Sequence, residues 1–183
     1  MPLFSALDFE CCLIIRLLCF VQKVQVMQKT ATPDLPLSGG CQCKRFRYKL
    51  TGPPLVFYLC HCTECQRQTS SAFGESLRLY AKHFEINSGL SCTERTSVTG
   101  KRRQGWFCPC CGVRIWHGTV GSDEINIKAG TLDDTSWLIP AGHIWTRSKQ
   151  PFMNFAEDEI CYESQPADNY QALKQHWQQM TTD

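Results

Sequence analysis

Eight of the 13 cysteines in this 183-residue chain fall in three short clusters, and no other feature limits the fold so tightly. The first cluster is Cys41-Gln42-Cys43. The second is Cys60-His61-Cys62-Thr63-Glu64-Cys65, and the third is Cys108-Pro109-Cys110-Cys111-Gly112. Such clusters serve either a disulfide framework or a metal. An odd count leaves one thiol over in any fully oxidised scheme. A chain of this length also has no need of covalent staples. Spacing speaks for metal. Side chains two apart on an extended strand project the same way with Cα atoms ~6.6 Å apart, which suits convergence on one ion better than a local disulfide. Cys108-x-x-Cys111-Gly112 has the form of a zinc knuckle, in which glycine relieves a tight turn and lets backbone N–H groups approach the thiolates.

Structural zinc takes four ligands in a closed tetrahedron. The first and third clusters supply two each: Cys41, Cys43, Cys108 and Cys111. One ion on them would tie the start of the domain to a point about 70 residues further on, and loop-closure entropy grows slowly enough to allow it. The second cluster supplies Cys60, Cys62 and Cys65, with no fourth cysteine beside it. Three protein ligands and an exchangeable fourth position form the pattern of catalytic zinc. A fourth ligand from Cys92, His61, His83, His117 or His143 would instead close that site. His61 alternates away from Cys60 and Cys62 on an extended backbone. Cys110 could replace Cys108 or Cys111, but two-residue spacing is what zinc turns use, so it reads as a spare thiol. Cys11, Cys12, Cys19 and Cys161 lack ligand spacing and read as small buried apolar residues.

Turn residues divide the rest of the chain. Residues 30–38 (TATPDLPLS) read as a linker, and the domain begins near Leu37. Gly39-Gly40 reads as a turn, after which Cys41 opens a strand alternating through Phe46 and Tyr48 until Gly52-Pro53-Pro54. Strand-like runs follow at 55–59, 72–80, 84–88, 113–117 and 124–129, and 139–146 and the segment around Phe155 close the domain. Short strands separated by Gly, Pro and Ser predict a mainly β fold of antiparallel sheets with little parallel pairing. A helix is expected only at the end. Asp168 caps it, and Tyr170, Leu173, Trp177 and Met180 form a stripe that docks on the domain's own core. The expected organisation is an extension and linker over 1–36, a zinc-binding β domain over 37–164 and a helical tail over 165–183.

Composition excludes other classes. A formal charge of +2 gives no general basic field for nucleic acid, and Lys101-Arg102-Arg103 beside Trp106 reads as a solvated turn. The apolar run at 13–21 (LIIRLLCFV) is interrupted by Arg16 and is shorter than the ~20 residues that span a bilayer. Asp8 and Glu10 stand where a signal peptide would be basic. The run reads as a short packed element or an extension, and the protein as soluble and cytoplasmic with no membrane partner.

The strings GGCQC, CHCTECQR, GWFCPCCG, INIKAGTLDD and HIWTRSKQPF, over about 38–163, resemble the glutathione-dependent formaldehyde-activating enzyme family, which also includes centromere protein V-like proteins. The Gly130-Thr131-Leu132-Asp133-Asp134 and His143-Ile144-Trp145 signatures resemble its shorter members. Phe152 stands where similar sequences often have Trp, and Cys110 is an addition. The resemblance implies two zinc ions. Cys41, Cys43, Cys108 and Cys111 match the family's structural ligands, and Cys60, Cys62 and Cys65 its catalytic ones. It implies folded antiparallel sheets with zinc at their junction. It also implies a carbon–sulfur lyase activity, the condensation of glutathione with formaldehyde to S-hydroxymethylglutathione. On that reading the substrate is a small-molecule thiol whose thiolate adds to a small carbonyl. Arg67 is the candidate partner of the substrate carboxylate. Glu64 and His61, then His143, are the candidates for moving a proton. The competing reading is a non-enzymatic zinc-stabilised binding module, and a third is a redox or metal-handling protein that uses the surplus thiols. The fourth position at Cys60, Cys62 and Cys65 decides between the first two.

Overall fold

In the computed structural model, which describes residues 29–97 and 99–182, strand register decides what each face of the protein carries. The chain runs β1 (Leu37–Gly40), β2 (Arg47–Leu50), β3 (Val56–Cys60), α1 (Thr63–Thr69), β4 (Gly74–Tyr80), β5 (Phe84–Ile86), β6 (Ser91–Thr96), β7 (Arg102–Phe107), β8 (Arg114–Thr119), β9 (Glu124–Ile127), β10 (His143–Ile144), β11 (Cys161–Tyr162) and α2 (Gln171–Thr181). The mainly β fold with a C-terminal helix is as the sequence predicts. Three strands form one sheet in the order β1-β2-β5, and eight form another in the order β11-β10-β3-β4-β9-β8-β7-β6. Pairing is antiparallel except at β10, which runs parallel to both β3 and β11.

Period-two alternation sorts the large sheet into two unlike faces. On one face, Phe57 opposes Leu77, and Leu77 and Leu79 oppose Ile127 and Ile125. This apolar face meets the small sheet through Phe84 against Trp116, with ring centroids 6.1 Å apart. It meets α2 through Phe57 against Trp177. On the other face, Tyr58 opposes Ser76, Cys60 opposes Gly74, and Arg78 opposes Asn126. Asn126 in turn opposes His117, which opposes Gly105. β3 and β4 are therefore buried on both sides, with apolar residues on one face and polar ones on the other.

The stripe expected on the last helix is present. Leu173, Trp177 and Met180 are buried, and Asp168 accepts from the Tyr170 and Ala172 N–H groups. Trp177 packs between Phe57 and Trp137. Trp177→Ala is expected to lower unfolding stability by ~3–5 kcal/mol, as other deletions of buried aromatics do. The measurement is a urea midpoint at unchanged slope.

Four expectations need correction. Gly39 and Gly40 lie within β1, where Gly39 lets the Tyr48 ring close over the strand. Cys41 and Cys43 lie on the turn after β1 and not on a strand; Lys44, at φ +62°, reverses the chain there. A second helix, α1, follows directly on Cys62. Cys161 is exposed on β11 instead of buried. The run at 13–21 and Cys11, Cys12 and Cys19 lie outside the described residues.

Candidate metal centre

Two turns bring four thiols together. The β1–β2 turn carries Cys41 and Cys43, and the β7–β8 turn carries Cys108 and Cys111, where Gly112 takes φ +74° as its knuckle form requires. The Sγ atoms all lie within 4.8 Å of one another. Cys41 to Cys43 is 3.4 Å, and Cys43 to Cys108 is 3.7 Å. A tetrahedron of thiolates on zinc at ~2.3 Å has sulfur atoms about 3.8 Å apart, so the donor set fits that ion. Backbone donors are already turned inward. Phe46 N–H points at the Cys41 sulfur, and Cys110 N–H at the Cys108 sulfur. The Val113 and Cys43 backbone N–H groups draw the Cys111 thiol down to about 6. One turn belongs to the small sheet and the other to the large sheet, so an ion on this group would pin the two together. Cys110 is exposed and its sulfur stands outside the group.

The second group forms where β3 ends and α1 begins. Cys60, Cys62 and Cys65 place their sulfurs within 4.8 Å of one another. Cys62 caps α1, its sulfur accepting from Cys65 N–H at 3.4 Å. Gln66 Nε2 ties α1 to the His61 and Ser148 carbonyls, each at 2.7 Å. Gly74 faces Cys60 across the strands, and a Cβ there would sit 3.3 Å from the Cys65 sulfur. The glycine thus makes room for the third thiol. The thiols act on each other strongly. Cys60 and Cys65, then the Cys65 and Glu64 N–H groups, draw the Cys62 thiol down to about 2. Cys62 and Cys65, with burial, push Cys60 up. A cation at the centre would relieve that competition for protons.

Among the described residues no fourth Cys, His, Asp or Glu joins this trio. Cys92 is exposed on β6. His61 is buried behind the trio, its Nε2 3.0 Å from His143 Nδ1 and its ring against Phe73 and Phe155. Burial, then His143, holds its pKa down to about 4. The three thiols instead face a cleft of two adjoining cavities, about 70 and about 40 Å³. These are small beside the ~300–1,000 Å³ of pockets that enclose drug-sized ligands. Both cavities share Glu64, Cys65, Arg95, Arg103 and His117 in their walls. Glu64 is ion-paired with Arg95 at 2.5 Å. Burial, with Lys128, Arg103 and Arg114, keeps His117 neutral, and its Nδ1 is buried with no hydrogen-bond partner.

Arg67 lies on the exposed side of α1 and lines neither cavity. The cations of the cleft are Arg78, which is ion-paired with Glu124, and Arg95, Arg103, Arg114 and Lys128. Lys101-Arg102-Arg103 is not a solvated turn throughout: Arg103 lies in β7, where alternation turns it inward and leaves Arg102 exposed. Among the described residues no helix is long and apolar enough to cross a membrane.

A β protein with four thiols where its two sheets meet, and three further thiols facing a cleft, is built around clusters that can hold metal ions. The family model described as glutathione-dependent formaldehyde-activating enzyme matches residues 36–148, and the chain belongs to that family. A solved structure of a Rhodobacter sphaeroides protein, a structural-genomics target, is similar at 18% identity and a TM-score of 0.43, over 55% of this chain and 91% of that one. No curated protein matches the chain.

Proposed function

We propose that the protein is a zinc-dependent carbon–sulfur lyase-type enzyme that joins a thiol of the glutathione kind to a small carbonyl such as formaldehyde, or runs the reverse. One zinc ion would rest on Cys41, Cys43, Cys108 and Cys111, and the other on Cys60, Cys62 and Cys65. The single observation that carries the reading is the trio's open side. Three thiols converge, no fourth ligand joins them among the described residues, and a cleft begins there. A closed binding module would have that position filled. Membership of the family supports the choice of a thiol and formaldehyde.

Zinc on the trio would supply a cation that takes a coordinating thiol to its thiolate, the nucleophilic form. The remaining roles belong to the chain. In the forward direction a sulfur–carbon bond forms, the carbonyl π bond breaks, and the thiol proton ends on the new hydroxyl oxygen. Glu64 is the carboxylate in both cavity walls, and Arg95 holds it in place. It can take the thiol proton and return it to that oxygen. His61 and His143 line neither cavity and pair with each other, which favours Glu64 over both. The small cleft suits a one-carbon carbonyl beside a thiol terminus. Thiolate clusters of this kind suit a reducing compartment such as the cytoplasm.

The test is metal analysis together with turnover. Purified protein is expected to hold two zinc ions per chain and to form S-hydroxymethylglutathione from glutathione and formaldehyde faster than the uncatalysed reaction. One zinc per chain, or two with no acceleration for any thiol and carbonyl tried, would overturn the reading.

A further inference from the structure

The polar face of the large sheet carries more positive charge than it needs. Arg95, Arg103, Arg114 and Lys128 line one cavity, and Glu64 is the carboxylate among them. Arg95 is spoken for by Glu64. Arg103 bonds Thr119 Oγ1 through Nη1 at 2.7 Å, and among the described residues it has no anionic partner. Arg114 is more exceptional. Its Nε is buried without a hydrogen-bond partner, and burial, then Arg95, weakens its hold on its proton. The chain has also been shaped to hold it there. The β7–β8 register shifts between Trp106 and Phe107, opposite Arg114, and bulges of this kind re-aim a side chain. The guanidinium lies over Gly105, where any Cβ would overlap it. Lys128 is 8% exposed, and its Nζ comes within 3.4 Å of the point over Gly74 that the Cys65 sulfur approaches to 3.3 Å. Lys128 therefore stands beside Cys65, Arg103 lines both the cavity that holds all three thiols and its neighbour, and Arg114 lines that neighbour.

Half-buried cations without counter-ions carry a cost, so their retention calls for a ligand that supplies the charge. Four cations against Glu64 leave three positive charges, and a zinc ion on three thiolates removes one. A bound substrate thiolate and one further anionic group remove the other two. Guanidinium pairs recognise planar oxyanions by paired, charge-assisted hydrogen bonds. We propose that Arg103 and Arg114 form a carboxylate-recognition site, so that the thiol this protein uses is one bearing a carboxylate within reach of its sulfur. The proposal rests on the reading of Cys60, Cys62 and Cys65 as the thiol site. It assigns the carboxylate to these two residues instead of Arg67, which lines neither cavity.

The experiment compares 3-mercaptopropionate with 3-mercapto-1-propanol, which differ in the carboxylate. Each is titrated into the full chain carrying cobalt(II), with binding read from the thiolate-to-cobalt absorption bands. Wild type is expected to bind the carboxylate form about tenfold tighter or more, the scale of one charge-assisted hydrogen bond in a half-buried site. In Arg103→Gln/Arg114→Gln the preference is expected to fall below about threefold, the scale of an exposed ion pair. Arg114→Gln alone serves if the double variant does not retain its cobalt. A preference already below threefold in wild type, or one kept in the variant, overturns the proposal. If no thiol shifts the bands, the thiol-site reading has failed, and S-methylglutathione decides the carboxylate site by itself through calorimetry. Binding that the arginine variant loses supports the site, and no binding to wild type overturns it.

Discussion

Cys108→Ser is expected to leave the chain without a cooperative fold, even in excess zinc. Cys108 is fully buried between the two sheets and belongs to the four-thiol group that joins the β1–β2 turn to the β7–β8 turn. Structural zinc sites contribute ~10–16 kcal/mol of apparent binding energy in zinc-finger peptides, whereas whole domains are stable by only ~5–15 kcal/mol. The small sheet also buries Leu37, Tyr48 and Leu50 and bonds Thr131 and Asp133, contacts whose geometry depends on the two turns being held together. Its contact through Phe84 and Trp116 is one aromatic pair, and such pairs add about 0.5–1.5 kcal/mol beyond their buried area. The serine hydroxyl would remain at a buried site where it ligates zinc poorly. The measurement is near-ultraviolet circular dichroism with urea unfolding. A Cys108→Ser protein that keeps its near-ultraviolet signal, and unfolds within ~1 kcal/mol of wild type, would show that the sheets do not depend on the metal.

Both thiol groups were legible in the sequence because ligand spacing is local. Cys60, Cys62 and Cys65 lie within six residues, and each half of the other group lies within four. What surrounds them was less legible. α1 reads TECQRQT, with no apolar period, and its cap is a cysteine sulfur, not the usual serine, threonine, asparagine or aspartate oxygen. The Cys41-Gln42-Cys43 turn mimics a strand because its thiols alternate. The residue that reverses the chain is Lys44, in a conformation that glycine or asparagine would have announced. β6 (SCTERT) is nearly all exposed, so no alternation marks it, and only its pairing with β7 makes it a strand. The cationic wall could not be read at all. Arg95, Arg103 and Arg114 sit on three strands and Lys128 just beyond a fourth, and only the sheet register makes them neighbours.

Cys62→Ser is expected to release one zinc of two, to lower thiol–formaldehyde turnover by at least ~10³-fold, and to leave the fold in place. The substitution isolates the metal from the helix. Cys62 caps α1 by accepting from Cys65 N–H, and serine is among the best residues for that task, so the turn carrying Cys65 keeps its start. Gln66 continues to hold α1 to the His61 and Ser148 carbonyls. The four-thiol group lies on other turns and keeps its ion. On the proposed reading, what would be lost is the third strong donor, and with it the cation that would turn a bound thiol into a thiolate. A free thiol is only a few per cent thiolate at neutral pH. It also no longer benefits from being held beside the carbonyl, an effect that alone reaches ~7–11 kcal/mol in well-oriented systems. Zinc per chain, the urea midpoint and turnover are read on the same preparation. Retained turnover with one zinc lost would place the chemistry elsewhere. Retained zinc with turnover lost would mean that Cys62 acts by itself, without the metal. Only the joint loss of one ion and of activity, on an intact fold, agrees with a trio whose open side is the working part of the protein.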